Sequence, residues 1–391
     1  MIARGLWGKF PVPPEFEGAT PTIRRWINYA RLLWAWYHCD THLPTYPARL
    51  CIEASGACNL ACPYCFTGAG ERSRERTMLT PAFFTRLLDE MGDYLWQVEF
   101  HNWGEPMLNK HLFAMITAAS ARGLSTMFNT NFSLPFDAAR AEALVQSGLS
   151  ILGVSVDGAT QASYEQYRVN GRLDLVLRNC RLVADAKRRL GSSTPRMNYS
   201  FHLFPHNLDD VTAAEAQATE LGMVFHVSRG RVVGADWDPD ERHIPHEKIT
   251  PMPCYTLFNT AVTFGDGSVA PCRGSFYAPD DMGRVGADGR AGTSSFREVW
   301  NGERIRLARR FFSDGDLTRN AAPAAEREHI CFACPQLLDW RDFVDFMASG
   351  GNPTEWVPAH DSNVRFNYFW QRKRHHELAP SGAQAAGASP E

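Results

Sequence analysis

The chain has 391 residues, of which 44% are hydrophobic, 21% charged and 12% aromatic, with 40 basic and 43 acidic side chains for a net charge of −3. These values exclude collagen, a coiled coil and a wholly disordered chain, and they leave no basic excess for a nucleic-acid backbone. No run approaches the roughly 18 apolar residues of a membrane helix, and Met1 to Trp7 lack the apolar core and cleavage site of a signal peptide, so the expectation is a cytoplasmic protein with reduced thiols.

Residues 21–37 place Ile23, Trp26, Ile27, Ala30, Leu33, Trp34 and Tyr37 at helical spacing. Residues 1–47 therefore read as an extension of coil plus one helix, docked on the main domain or serving as a lid. From residue 49 onward, strand-like runs alternate with helices. The strands are Leu50–Ser55, Val98–Asn102, Ser125–Thr130, Ile151–Val156, Met197–Leu203 and Val224–Val227. Thr80 and Pro81 open one helix and Asn109 the next, while Gly148, Gly191 and Gly222 close three others. Six β/α units over residues 48–235 predict an α/β fold with a parallel sheet, whose chemistry sits at the C-terminal strand ends. Asp236 to Pro253 reads as a linker. Ala261–Phe264 and Ser268–Ala270 flank Gly265-Asp266-Gly267 as a hairpin, within a smaller unit over residues 236–345. Residues 346–377 are expected to pack on the sheet, and residues 378–391 to be a disordered tail.

Seven of the ten cysteines fall into two groups with metal-ligand spacing. Cys58, Cys62 and Cys65 lie in one short loop after the first strand. Such a loop can wrap three corners of a cubic iron–sulfur cluster and leave the fourth iron open; a zinc loop is the other reading. Cys254 and Cys272 flank the hairpin, and Cys331-Phe332-Ala333-Cys334 supplies a further pair. Four thiolates suit tetrahedral zinc as well as a cluster.

Cys-x3-Cys-x2-Cys with Tyr64 before its last cysteine resembles the signature of radical S-adenosylmethionine enzymes. The resemblance implies a partial barrel of six β/α units, with Cys58, Cys62 and Cys65 on a [4Fe–4S] cluster whose open iron chelates S-adenosylmethionine. Electron transfer to that cofactor yields a 5′-deoxyadenosyl radical that takes a hydrogen atom from substrate. Further matches fall at successive strand ends. Trp103-Gly104-Glu105-Pro106 resembles the family's Gly-Gly-Glu-Pro, which holds the methionine ammonium, with Trp103 in place of the first glycine. Asn131 follows the third strand. Ser155-Val156-Asp157-Gly158 resembles a Ser-Ile-Asp-Gly that lies near the cofactor, and Arg168 is assigned to the methionine carboxylate. The second cysteine set resembles the family's C-terminal SPASM/twitch extension, in its shorter twitch form. That implies a second, fully ligated [4Fe–4S] cluster on Cys254, Cys272, Cys331 and Cys334, suited to moving electrons.

The resemblance also implies an external one-electron reductant such as flavodoxin or ferredoxin. Candidate proton acceptors at strand ends are His101, His202 and Arg229, and Cys39 is a candidate hydrogen-atom donor; each is also readable as a structural side chain. Cys51 and Cys180 read as packing residues. His375 and His376 stand in a basic run and read as solvated. The leading function is oxidation or epimerisation of a hydroxylated small molecule, a sugar or an aminocyclitol. A peptide-modifying maturase is the alternative, and a zinc-stabilised binding module without catalysis is a third.

Overall fold

The computed structural model describes residues 12–232, 252–286, 292, 295–313 and 323–351. Most of the expected linker, the tail after residue 351, and His375 and His376 lie outside the described residues.

Helix α1 spans Ile23–Tyr37 and is capped by Thr22, whose hydroxyl accepts from the Arg25 N–H. Then come β1 (Arg49–Ile52), α2 (Pro81–Met91), β2 (Gln97–Glu99), α3 (Leu112–Ala121), β3 (Ser125–Thr130), α4 (Ala138–Gln146) and β4 (Ile151–Ser155). Next are α5 (Gln161–Tyr167), α6 (Leu173–Leu190), β5 (Arg196–Leu203), α7 (Val211–Glu220) and β6 (Val224–Arg229). Thr80 caps α2 with Pro81 in its first turn, as expected. Asn109 instead follows a short 3-10 turn, and α3 begins at Leu112. Its amide donates to the carbonyls of Ala54 and Leu79, tying this turn to the end of β1. The first two strands are shorter than their hydrophobic runs, because residues 53–55 and 100–102 leave the ladder to build loops.

After residue 252 come α8 (Thr256–Asn259), β7 (Thr260–Thr263), β8 (Ser268–Ala270), β9 (Gly283–Arg284), α9 (Phe296–Trp300), α10 (Glu303–Ser313), α11 (Ala324–Arg327) and α12 (Pro335–Ala348). The strands form one sheet in the order β6-β5-β4-β3-β2-β1-β7-β8-β9. β1 to β6 run parallel. The hairpin expected in the smaller unit is continuous with them: β7 pairs parallel to β1, with Leu50 opposite Ala261, and β8 returns antiparallel. The sheet is open, compatible with a partial barrel. Alternation sorts its faces. On β5, Met197, Tyr199, Phe201 and Leu203 are buried, while Asn198, Ser200 and His202 on the other, inner face are half-buried.

The N-terminal strand ends are plugged by the extension. Phe16 stacks on Trp96, and Arg25 donates to the carbonyls of Arg122 and Gly123 just before β3. Arg309 on α10 locks the opposite flank. It is fully buried, lies over Trp300, and donates to the carbonyls of Leu257, Trp300 and Thr41. Burial pulls its pKa down to about 9. Replacing Arg309 with Met leaves those buried carbonyls without donors, and is expected to cost about 3 kcal/mol in urea unfolding. A loss below about 1 kcal/mol would mean that water replaces the guanidinium.

Candidate functional site

The loop after β1 carries Cys58, Cys62 and Cys65, and each thiol meets a different segment of the chain. Asn131, after β3, donates to Cys58 Sγ at 3.6 Å and to Asn59 Oδ1 at 3.0 Å. Arg168, at the end of α5, reaches Cys62 Sγ at 3.9 Å. Cys65 Sγ lies 3.9 Å from the Trp103 carbonyl oxygen after β2. Burial pushes the Cys58 thiol up to about 11, and the Cys62 thiol also rises, chiefly by burial against the pull of Arg168. A metal must displace these protons to bind there.

Gly104 explains how β2 and the loop come together. A Cβ at this position would lie 1.7 Å from the Ser55 carbonyl oxygen, so only glycine fits. The next residue, Glu105, donates its N–H to the Ala57 carbonyl. Its side chain is buried and accepts from the N–H groups of Met107 and Asn131 and from the Thr130 hydroxyl. The carboxylate therefore fixes the turn that presents Asn131. Pro106 opens that short turn.

Asp157 is fully buried past the end of β4. Its Oδ2 accepts from Arg168 Nε at 2.6 Å, and its Oδ1 faces the His202 N–H and Nδ1 at 2.8 and 2.9 Å. Burial alone would raise its pKa, but Arg168 and then His202 hold it down at about 2. The residue thus positions two side chains. Ser155 ends β4 on the inner face, opposite Ser200. Tyr64 stacks with Tyr167 and Phe204 beside this group.

The remaining candidates separate by register. His101 continues the inner face after β2, with Nε2 3.3 Å from the Asn129 amide nitrogen. Burial pulls its pKa down to about 4, so its ring is neutral at pH 7. Arg229 pairs with Leu203, on the face opposite His202 and Ser228. Cys39 caps the end of α1 at φ 52° and is buried in the main apolar core. That helix packs at the N-terminal strand ends, whereas the cysteine loop follows the C-terminal end of β1. Cys180 is buried on α6 as expected. Cys51 faces inward in a small cluster with Val262, Phe264, Ala270 and Trp103.

Two residues escaped the motifs. Glu53 follows β1 and is buried; it accepts from the Trp103 and Gly104 N–H groups. Its pKa rises to about 7, chiefly by desolvation. An acid in the otherwise apolar run Leu50–Ala54 was the available signal. Glu99, on β2, is buried between Arg49 and Arg273; no motif marked it.

Cys254, Cys272, Cys331 and Cys334 line one small cavity with Leu257 and Ile330. Burial raises the Cys272 thiol to about 12, with Cys334 and Cys254 adding repulsion. Cys331 is raised by burial and by Cys334, Cys272 and Cys254. Among the described residues, no three His, Cys, Asp or Glu side chains converge on one ion-sized point.

Residues 52–210 match the Radical SAM superfamily. Fe-coproporphyrin III synthase of Methanosarcina barkeri is 30% identical over 126 residues, 32% of this chain and 31% of that protein. The mycofactocin maturase of Mycolicibacterium smegmatis is 26% identical over 244 residues, 62% of this chain and 58% of its own length. The chain thus spans about a third to just over half the length of these curated relatives. Streptococcus suis SuiB bound to S-adenosylmethionine shares the fold, with a TM-score of 0.54 and 13% identity over 86% of this chain and 81% of that one. No described helix is long and apolar enough to cross a membrane.

Two expectations follow. Gly104→Ala should destabilise the fold by about 3 kcal/mol and lower the iron taken up on anaerobic reconstitution; wild-type melting and iron content would mean that the loop can shift. Glu53 keeps its proton in the folded state between its ordinary value of 4.5 and about 7. Stability therefore falls as pH rises across that window, by on the order of 3 kcal/mol in total. Glu53→Gln should flatten this part of the profile in denaturant titrations at pH 4.5 to 8, and an unchanged slope would exclude Glu53 as its source.

Proposed function

We propose that this chain, whose residues 52–210 form a radical SAM domain, is an oxidoreductase or epimerase that takes a hydrogen atom from a hydroxylated small molecule, a sugar or an aminocyclitol. The observation that carries the radical chemistry is the three-thiol loop seated on Gly104, with Asn131 and Arg168 each aimed at a different thiol. Cys58, Cys62 and Cys65 would hold one [4Fe–4S] cluster and leave a corner for S-adenosylmethionine. Once bound, such a cluster supplies the electron that cleaves the cofactor to the 5′-deoxyadenosyl radical. Arg168, held by Asp157, would take the methionine carboxylate, and the backbone around Gly104 and Glu105 the ammonium. Ser155 and Tyr64 complete the wall.

The inner face supports the substrate class. Asn129, Ser155, Asn198, Ser200, His202 and Ser228 share it by register, so hydroxyl groups would meet donors and acceptors at several strands. His202 suits the proton acceptor. Asp157 takes its Nδ1–H, which leaves Nε2 as a base. Loss of a hydroxyl proton to His202 and of one electron to an acceptor converts a carbon radical into a carbonyl. The cavity lined by Cys254, Cys272, Cys331 and Cys334 would hold that acceptor as a second, closed [4Fe–4S] cluster. Four thiols spread around a cavity fit a cube better than a single zinc ion, whose donors converge at about 2.3 Å. An external ferredoxin or flavodoxin would supply the priming electron. Peptide modification is the second reading, favoured by the length of the match to the mycofactocin maturase.

Anaerobically reconstituted protein should be brown, carry about eight irons and cleave S-adenosylmethionine under reduction. Colourless protein with stoichiometric zinc would sink the proposal. Cys58→Ala should abolish cleavage. Cys331→Ala should keep cleavage while losing oxidised product, and full product formation by that variant would remove the electron-acceptor role. Deuterium passing into 5′-deoxyadenosine from labelled sugars, aminocyclitols or peptides decides the substrate class.

A further inference from the structure

Trp103 stands where the resembling motif has glycine, and it touches both cysteine sites. Its carbonyl oxygen lies 3.9 Å from Cys65 Sγ. Its indole Nε1–H donates to the Ser275 carbonyl at 3.3 Å. The Ser275 N–H donates to the Cys272 carbonyl at 3.2 Å. These three contacts join a ligand of the first proposed cluster to a ligand of the second through Trp103, beside a direct ring contact between Phe66 and Phe276. The side chain is fixed along the way. Its ring meets Phe66 at 4.8 Å, beside Cys65, and Phe276 at 5.9 Å, beside Ser275, both edge-to-face. Its N–H is held by Glu53. The segment from Cys272 to Phe276 is thereby pressed against the first cysteine loop.

We propose that Trp103 is the electron bridge between the two cysteine sites. Electrons tunnel more readily along covalent bonds and short hydrogen bonds than across gaps of the same length. The path runs from Cys65 Sγ to the Trp103 carbonyl, through that residue to its indole nitrogen, and by way of Ser275 to Cys272. One electron moves from the reduced site to the oxidised one, and no bond is made or broken. The contact at Cys65 persists when the sulfur is a metal-bound thiolate without its proton, because it is then a van der Waals contact. This inference rests on the proposed occupancy of both sites by iron–sulfur clusters.

The test uses the reconstituted full chain. Flash photoreduction and rapid freezing, followed by electron paramagnetic resonance, read how fast an electron redistributes between the two clusters. S-Adenosylmethionine is added to shift the signal of the first. Trp103→Phe keeps a packed ring but removes the indole N–H. Phe66→Leu trims a ring beside the path without touching its hydrogen bonds. With iron content and midpoint potentials matching wild type, Trp103→Phe should slow redistribution severalfold and Phe66→Leu should not. Equal rates in Trp103→Phe and wild type would overturn the bridge. Equal slowing in both variants would overturn it as well, because packing alone would then account for the effect. Wild-type protein with a single four-iron signal would instead refute the two-cluster reading on which the bridge stands.

Discussion

The site depends on a close backbone approach between the ends of β1 and β2. At Gly104 the chain runs directly against the Ser55 carbonyl, with no room for a single carbon between them. Glu105 then bonds to Ala57, one residue before Cys58. Asn131 at Cys58 and Trp103 at Cys65 are both placed by this contact. Shift it, and Asn131, held through Glu105, shifts too. Trp103, with Glu53 on its N–H and Ser275 on its ring, would move with it.

Buried carboxylates secure the strand ends, and they illustrate how differently one problem is solved. Asp157 has a guanidinium and an imidazole as partners, and its pKa falls to about 2 despite complete burial. Glu53 has two backbone N–H groups close at hand and rises to about 7. Glu105 has three neutral donors and also rises, because burial outweighs them. Neutral donors satisfy lone pairs without supplying charge, whereas a cation offsets the desolvation of an anion directly. Of these three carboxylates, Asp157 is therefore the one held ionised well below neutral pH. That suits a group holding Arg168 and His202 in fixed positions.

Most of the fold was legible because the signal was local. Hydrophobic runs located β1 to β6, and Thr80, Gly191 and Gly222 marked helix ends through capping chemistry. The cysteine loop and Gly104 were visible as spacing. Other features depend on contacts far apart in the chain, which no local pattern encodes. The pairing of β7 with β1 joins residues more than two hundred positions apart. β6 was expected over Val224–Val227 and runs on to Arg229, whose place is set by its pairing with Leu203 on β5. Glu53 and Glu99 look like solvated charges until the arginines and N–H groups around them are in place.

Continuity of the sheet bears on how the two cysteine sites work together. Had the hairpin belonged to a separate unit joined by a linker, the distance between the sites could vary with domain motion. Here β7 shares a ladder with β1, and β1 leads directly into the cysteine loop. β8 leads to Cys272, and the following residues return to Trp103 and Phe66. Arg273, the next residue, reaches Glu99 on β2. The second set is thus braced against the first by a ladder, an ion pair to a buried carboxylate and a ring cluster. Electron transfer is steeply sensitive to separation, so a fixed geometry of this kind is what a relay between two redox sites requires. A binding module needing only structural metal would gain nothing from it.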